Sequence, residues 1–209
     1  MRVGHELLAT IARLAPRGSL QTSASPGAGE IKQKRPLGLV TRIGGFRFSP
    51  CDARGKKTGN SPVDRRKKGS KHHVLTDGNG TPMHATLTGA NRHDLTQLLP
   101  LLDGIPAVAG KRGRPRKRFK IVQADRAYHS EPHRKALRKR GIKPLLARRN
   151  TPHGSGLGIY RWPVERTLSW MHQDRRLRVR DERRDDIHEA FMELSQAMIC
   201  WSRLHSEFC

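Results

Sequence analysis

The chain has 209 residues, a formal net charge of +24 at pH 7 and only 5% aromatic residues. That length suffices for one domain with a real core and a small appendage, and such an excess of Lys and Arg predicts a polyanionic partner, most simply nucleic acid. The three cysteines, Cys51, Cys200 and Cys209, form no C-x-x-C pair, which argues against a disulfide framework or a Cys-rich zinc site and fits a reducing cytoplasm; no apolar run approaches the ~18 residues that suggest a membrane span.

The first 19 residues are weakly amphipathic and contain Arg. A short surface helix is the expectation there, with a transit peptide as the alternative. Residues 15–36 are dominated by Pro, Gly and Ser and are expected to be disordered. Residues 37–50 can supply one or two short strands, although Gly44-Gly45 weakens the pattern. From Lys71 the text becomes regular. "KHHVLTD" reads as a strand, "GNG" as a turn and "TPMHATLTG" as a second strand, a hairpin with Asp-Gly and Asn-Gly turn pairs. Asp94 then suits a helix N-cap, and Leu95, Leu98, Leu99 and Leu102 recur at helical spacing, with Pro100 expected to bend or end the helix.

A basic loop precedes a strand at 121–124. Ser130 is expected to cap a helix running to about Lys139, and Gly141 to end it. "IKPLLARR" is another strand. A Gly-rich loop leads into a helix over about 160–175. The last helix, about 185–204, carries Ile187, Ala190, Phe191, Leu194, Ala197, Met198 and Trp201 at steps of three and four. The order predicts an α/β layer with an antiparallel hairpin at one edge of a mixed sheet. Strands joined through helices should run parallel, with a site at their carboxyl ends.

Asp125 follows the strand at 121–124. A lone acid facing a polyanion makes chemical sense if a divalent cation lies between them, since carboxylates hold Mg²⁺ and a metal pair can activate a hydroxyl and stabilise a leaving oxygen. Glu165, in a helix with Arg161 four residues before it, is a candidate partner. Each has a structural alternative: Asp125 as an N-cap or turn residue, and Glu165 as half of a surface Arg–Glu pair.

"ADRAY", "RRNTPHGSGLGIYRWPVERTLSW", "RRDDIHEAF" and "SPVDRRKKGSKHHVLTDGNGTPMHATLTGANRHDLTQLLPLL" resemble bacterial insertion-sequence transposases of the DDE type, in the insertion sequence five group. The resemblance covers about residues 53–204. It implies an RNase H-like core in which two Asp and one Glu bind Mg²⁺ or Mn²⁺, cut element ends and join them to target DNA. Asp125 matches the second Asp and Glu165 the Glu. Arg161 matches the Arg of the family's Tyr-Arg-Glu signature, Tyr160 adjoins it instead of lying three positions before, and His172 takes the place of the basic residue seven positions after the Glu. The first Asp is missing. Counting back from the "SPVDR" motif reaches Gly44-Gly45-Phe46, which has no acid; Asp52 does not match, and Asp64 belongs to the loop motif.

Residues 1–50 resemble nothing in the family, so a non-homologous N-terminal segment (1–50) and a partial catalytic domain (51–209) are expected, as from a truncated or frameshifted element with impaired activity. The implied partners are duplex DNA at transposon ends and target, with a homo-oligomer in prospect and no membrane, in a bacterial cytoplasm at the nucleoid. Lys111, Arg112, Arg114, Arg116, Lys117 and Arg118 form an AT-hook-like stretch, with a solvated loop as the alternative. Lys67, Lys68 and Lys71 form a second basic patch, and Arg148 and Arg149 a third. His72 and His73 should point to opposite faces of their strand. "RRLRVRDERRDD" is expected to be a solvated helix end with some phosphate contact. Two other readings stay open: a DNA-binding remnant without chemistry, and an unrelated basic RNA-binding protein.

Overall fold

In the computed structural model the described residues are 40–51, 55–105, 119–147 and 157–208, with backbone alone for 40–48, 157–161 and 206–208. Six strands form one mixed sheet: β1 (Val40–Pro50), β2 (Gly59–Asn60), β3 (Lys68–Thr76), β4 (Pro82–Gly89), β5 (Ile121–Ala124) and β6 (Lys143–Leu146). They lie in the order β2-β3-β1-β5-β6, with β4 also on β3. The expected hairpin is β3–β4, antiparallel. β5 and β6 are parallel, as their helical connection requires. β1 is central. It runs antiparallel to β3 and parallel to β5, a placement its own double glycine obscures. The domain boundary expected at residue 50 therefore falls at the end of an inner strand of the sheet.

Helices cover both faces. On one side α1 (Leu98–Asp103) and α2 (Glu131–Lys139) contribute Leu98, Leu101 and Leu137 to a cluster with Leu75, Val122, Ala124 and Tyr128. On the other, α3 (Leu157–Met171), α4 (Arg175–Arg178) and α5 (Asp185–Phe208) pack Leu168, Met171, Leu177 and Met192 against Val74 and Leu87. Burying each such side chain stabilises the fold by about 1.5–3 kcal/mol. Because both faces are covered, β3 is buried from Gly69 to Thr76.

Local signals held at several ends. Gly141 adopts φ +74° just beyond α2; Ser130 occupies its N-cap position but makes no side-chain cap bond. Others gave way to tertiary demand. His93, not Asp94, caps the turn before α1, accepting from the Leu95 N–H at 3.2 Å. Asp94 is buried and takes Lys71 Nζ at 2.9 Å. Pro100 neither bends nor ends α1, because it stands in the first turn, where no intrahelical donor is lost. The helix expected over 160–175 ends at Met171, and a separate short helix follows.

Gly80 is needed where the hairpin meets α3. Its φ is +87°, and a Cβ there would lie 2.8 Å from the Pro163 carbonyl oxygen. Thr167 Oγ1 donates to the Gly80 carbonyl, and Arg166 Nη2 reaches the Asn79 carbonyl at 2.9 Å. The turn thus anchors the helix that carries Glu165.

Candidate active site

The register of three strands defines a level in the sheet. Ile43 pairs with Leu75 on β3 and with Ala124 on β5, and Gly44 pairs with Val74. Asp125 comes one residue after Ala124, in extended backbone (φ −70°, ψ 172°). Positions 44, 74 and 125 therefore share one level at the carboxyl end of β5. They also share a face. Leu75 and Ala124 belong to the α1–α2 side and Val74 to the α3–α5 side, and alternation along a strand assigns 44 and 125 to the latter.

Asp125 is also the N-cap of a short 3-10 turn, Arg126–Tyr128, its Oδ1 accepting from the Arg126 N–H. The structural alternative for Asp125 therefore holds, and the cap orients its carboxylate. Helix α3 packs across β1 and β3, on the face that includes position 125. Pro163, Val164, Thr167, Leu168 and Met171 turn inward, and Glu165 lies on the exposed side with Trp162 and Ser169. Tyr160 and Arg161 fall in the same helix and are described by backbone alone.

Among the described residues no three His, Cys, Asp or Glu side chains converge as a metal site. The register supplies a reason. Where a third acid would stand level with Asp125, β1 has Gly44, followed by a bulge before Arg47. Asp52 lies outside the described residues. Asp64 is part of a turn, its N–H bonded to Ser61 Oγ at 3.1 Å.

Three polar systems around the site were not legible in the sequence. The first is a row of histidines. His172 Nε2 lies 3.0 Å from His72 Nδ1, His72 Nε2 lies 2.9 Å from His188 Nε2, and His188 Nδ1 lies 3.0 Å from Glu182 Oε2. The carboxylate accepts, so His188 Nδ1 carries the proton. Its Nε2 then accepts from His72, and His72 Nδ1 accepts from His172; all three rings are satisfied while neutral. Burial, then the neighbouring histidines, hold His72 well below the usual imidazole range; burial likewise lowers His188. Burial pushes Glu182 up, but the hydrogen bond from His188, a backbone hydrogen bond and the charges of His188 and Arg176 together outweigh it and leave the carboxyl below its ordinary value. His172, which takes the place of the family's basic residue, is therefore an inward-facing hydrogen-bond donor. His73 points to the opposite face, bonding Tyr128 Oη at 3.1 Å and Thr88 Oγ1 at 2.8 Å, as strand alternation requires.

The second is Arg180, 1% exposed. It donates to Ser70 Oγ at 2.7 Å and to the carbonyls of Lys56 and Lys57 at 3.0 and 3.2 Å. The expected solvated segment at 175–186 thus contains a buried arginine that ties the 55–58 loop to β3. The third is Lys71–Asp94, with Lys71 also donating to the Arg92 carbonyl at 2.8 Å. Lys71 is 6% exposed, which removes it from a DNA-facing patch, because it pairs with β4 and turns its ammonium into the 92–94 segment before α1. Lys67 and Lys68 are exposed. Lys111, Arg112, Arg114, Arg116, Lys117, Arg118, Arg148 and Arg149 lie outside the described residues.

Residues 42–201 match the model of the family described as the transposase DDE domain. The chain belongs to that family. It is 52% identical over 204 residues to the "Putative transposase for insertion sequence element IS402" of Burkholderia cepacia, across 98% of this chain and 97% of that one. Most of residues 1–50, expected to be foreign to the family, lie within that match. Among solved structures the DDE-family fold resembles the piggyBac transposase in a synaptic complex with hairpin DNA, with a TM-score of 0.50 and 13% identity over 80% of this chain. This chain spans about half of that one's length (48%). In the described residues no helix is long and apolar enough to cross a membrane.

Proposed function

We propose that this DDE-family chain is an RNase H-like transposase catalytic domain, directed at the duplex DNA of insertion-sequence ends and target, whose chemistry is impaired by an incomplete set of acids. Asp125, held by its cap, and Glu165, on the helix over the same face, are the two candidate catalytic carboxylates. A divalent cation such as Mg²⁺ or Mn²⁺ bound between such groups would activate the attacking oxygen and stabilise the leaving one. Two acids are an incomplete donor set for that role, so no step is assigned to a metal here. Asp125 stands at the carboxyl end of β5 and Glu165 on the exposed side of α3, and the basic surface supplies attraction for the phosphates.

The observation that carries this reading is the register placing Gly44 level with Asp125. It favours a second outcome as well: occupancy of DNA ends without cleavage. The test is incubation with element-end duplex in Mg²⁺ or Mn²⁺, together with Mn²⁺ binding by the unsubstituted chain, Gly44→Asp and Asp125→Ala. The unsubstituted chain is expected to bind DNA and cut it no faster than background. Gly44→Asp is expected to tighten Mn²⁺ binding, and Asp125→Ala to weaken it. Robust turnover by the unsubstituted chain overturns the impairment, and Mn²⁺ binding indifferent to both substitutions overturns the site.

A further inference from the structure

The segment Ser61–Lys67 joins β2 to β3 and closes on itself. Ser61 N–H donates to the Lys67 carbonyl at 2.8 Å, Arg66 N–H to the Ser61 carbonyl at 3.1 Å, and Lys67 N–H to the Asp64 carbonyl at 2.8 Å. Ser61, 2% exposed, also caps the Val63 and Asp64 N–H groups with its hydroxyl. The inner turn is Asp64-Arg65-Arg66-Lys67. Its central residues have φ +45° and +58°, as in a type I′ turn. That turn ordinarily takes Asn-Gly, because side chains with a Cβ are disfavoured at positive φ. Here both places are arginine.

A strained backbone persists where the surroundings enforce it, and such places cluster at functional sites. The exposed residues at this tip fit a function. Arg65, Arg66, Lys67 and Lys68 are four consecutive exposed cations, and Pro62 and Val63 stand beside them, with Val63 83% exposed. The tip also projects in a defined direction. β1 and β5 are parallel, and the end of β1 toward Pro50 pairs with the start of β3. The hairpin therefore leaves the sheet at the same edge as Asp125. From the level of Val74 to Lys68 the strand runs about 20 Å.

We propose that the 61–67 hairpin is a duplex-DNA docking element that grips the sugar–phosphate backbone on the flank of the candidate site, with Arg65 and Arg66 on phosphates and Pro62–Val63 against the sugars. It deepens the reading of the chain as a DNA-processing domain by naming where the duplex is held. Duplex is favoured as the occupant because the tip combines clustered cations with a small apolar point and exposes no aromatic ring on which an unpaired base could stack.

The test exploits the conflict between turn and sequence. In the full chain, Arg65→Asn combined with Arg66→Gly installs the residues the turn prefers, so the thermal midpoint should stay level or rise. Binding to a short labelled duplex is measured by anisotropy in EDTA, so that cleavage plays no part and failure of the catalytic reading leaves the result unaffected. Affinity is expected to fall about tenfold at about 0.1 M salt, and the slope of log affinity against log salt to become shallower by about 1.8, the loss of two phosphate contacts. Val63→Ser should weaken binding without altering that slope. Unchanged affinity and slope with a raised midpoint would mean a merely solvated turn and would overturn the proposal. So would a loss confined to poly-glutamate used as an acidic-peptide probe, which would assign the tip to a protein partner.

Discussion

The interior of β3 and the carboxyl end of β5 belong to one sheet, and their polar groups are treated differently. Along β3, Lys71, His72 and His73 are each buried with designated partners on the turn before α1, just beyond α3, on α5, on β4 and on the turn after β5. Beside β3, Arg180 satisfies several carbonyls at once. At the carboxyl end, Asp125 is in place and Glu165 rides on the helix above the same face, but the level of β1 that would complete them has Gly44. The buried polar groups of β3 are paired, whereas β1 has a glycine and no acid at the level of Asp125. Buried polar groups are costly unless fully paired, so their complete pairing on β3 is required for folding. Asp125 contributes one cap and Glu165 stands on an exposed helix face, so losing either costs the fold little.

That contrast predicts where substitutions will hurt. The largest effect is expected at Arg180. Arg180→Met removes the donors to the Lys56 and Glu182 carbonyls and to Ser70 Oγ, and urea unfolding should show a loss of about 3 kcal/mol; a loss below about 1 kcal/mol would break the comparison on the scaffold side. Acid comes next. Burial depresses His73 to about 4 and also lowers His72 and His188. A histidine lowered in the folded state binds fewer protons than in the unfolded chain. Stability is therefore full above about pH 6.5 and declines as pH falls toward 4, by on the order of 3 kcal/mol for His73 alone. Glu182, whose folded value is also depressed, adds a loss in the same direction as pH falls through that value. Thermal midpoints measured across that range should fall, and a flat profile would show that the histidine row is not held neutral. The smallest effects belong to the candidate site. Asp125→Ala should cost about 1 kcal/mol through its lost cap, and Glu165→Gln, on an exposed helix face, less than about 0.5 kcal/mol. A large destabilisation at Glu165 would make it a structural residue after all.

The candidate site was partly legible because its parts are local. A strand of Ile121–Ala124 ending in an acid, and a helix with Glu165, can each be read from short windows of sequence. The histidine row could not be read that way, because His72 is 100 residues from His172 and 116 from His188 and meets them only when α3 and α5 close over β3. The doublet His72-His73 did announce opposite faces, since alternation is a local property. Lys71 and Arg180 looked like solvent-facing basic residues for a related reason: composition marks a residue as charged and says nothing about which loop will enclose it.

By itself the sequence determined the hairpin, most helices, the parallel pair β5–β6, the cationic character of the chain and the two acids, all properties of composition or of neighbours along the chain. Only the tertiary structure decided that Val40–Pro50 runs through the middle of the sheet, that Gly44 stands level with Asp125, and that several cations and histidines are interior. Those are outcomes of pairing between distant strands and helices, where the gain from burying and satisfying whole faces outweighs what any short stretch prefers.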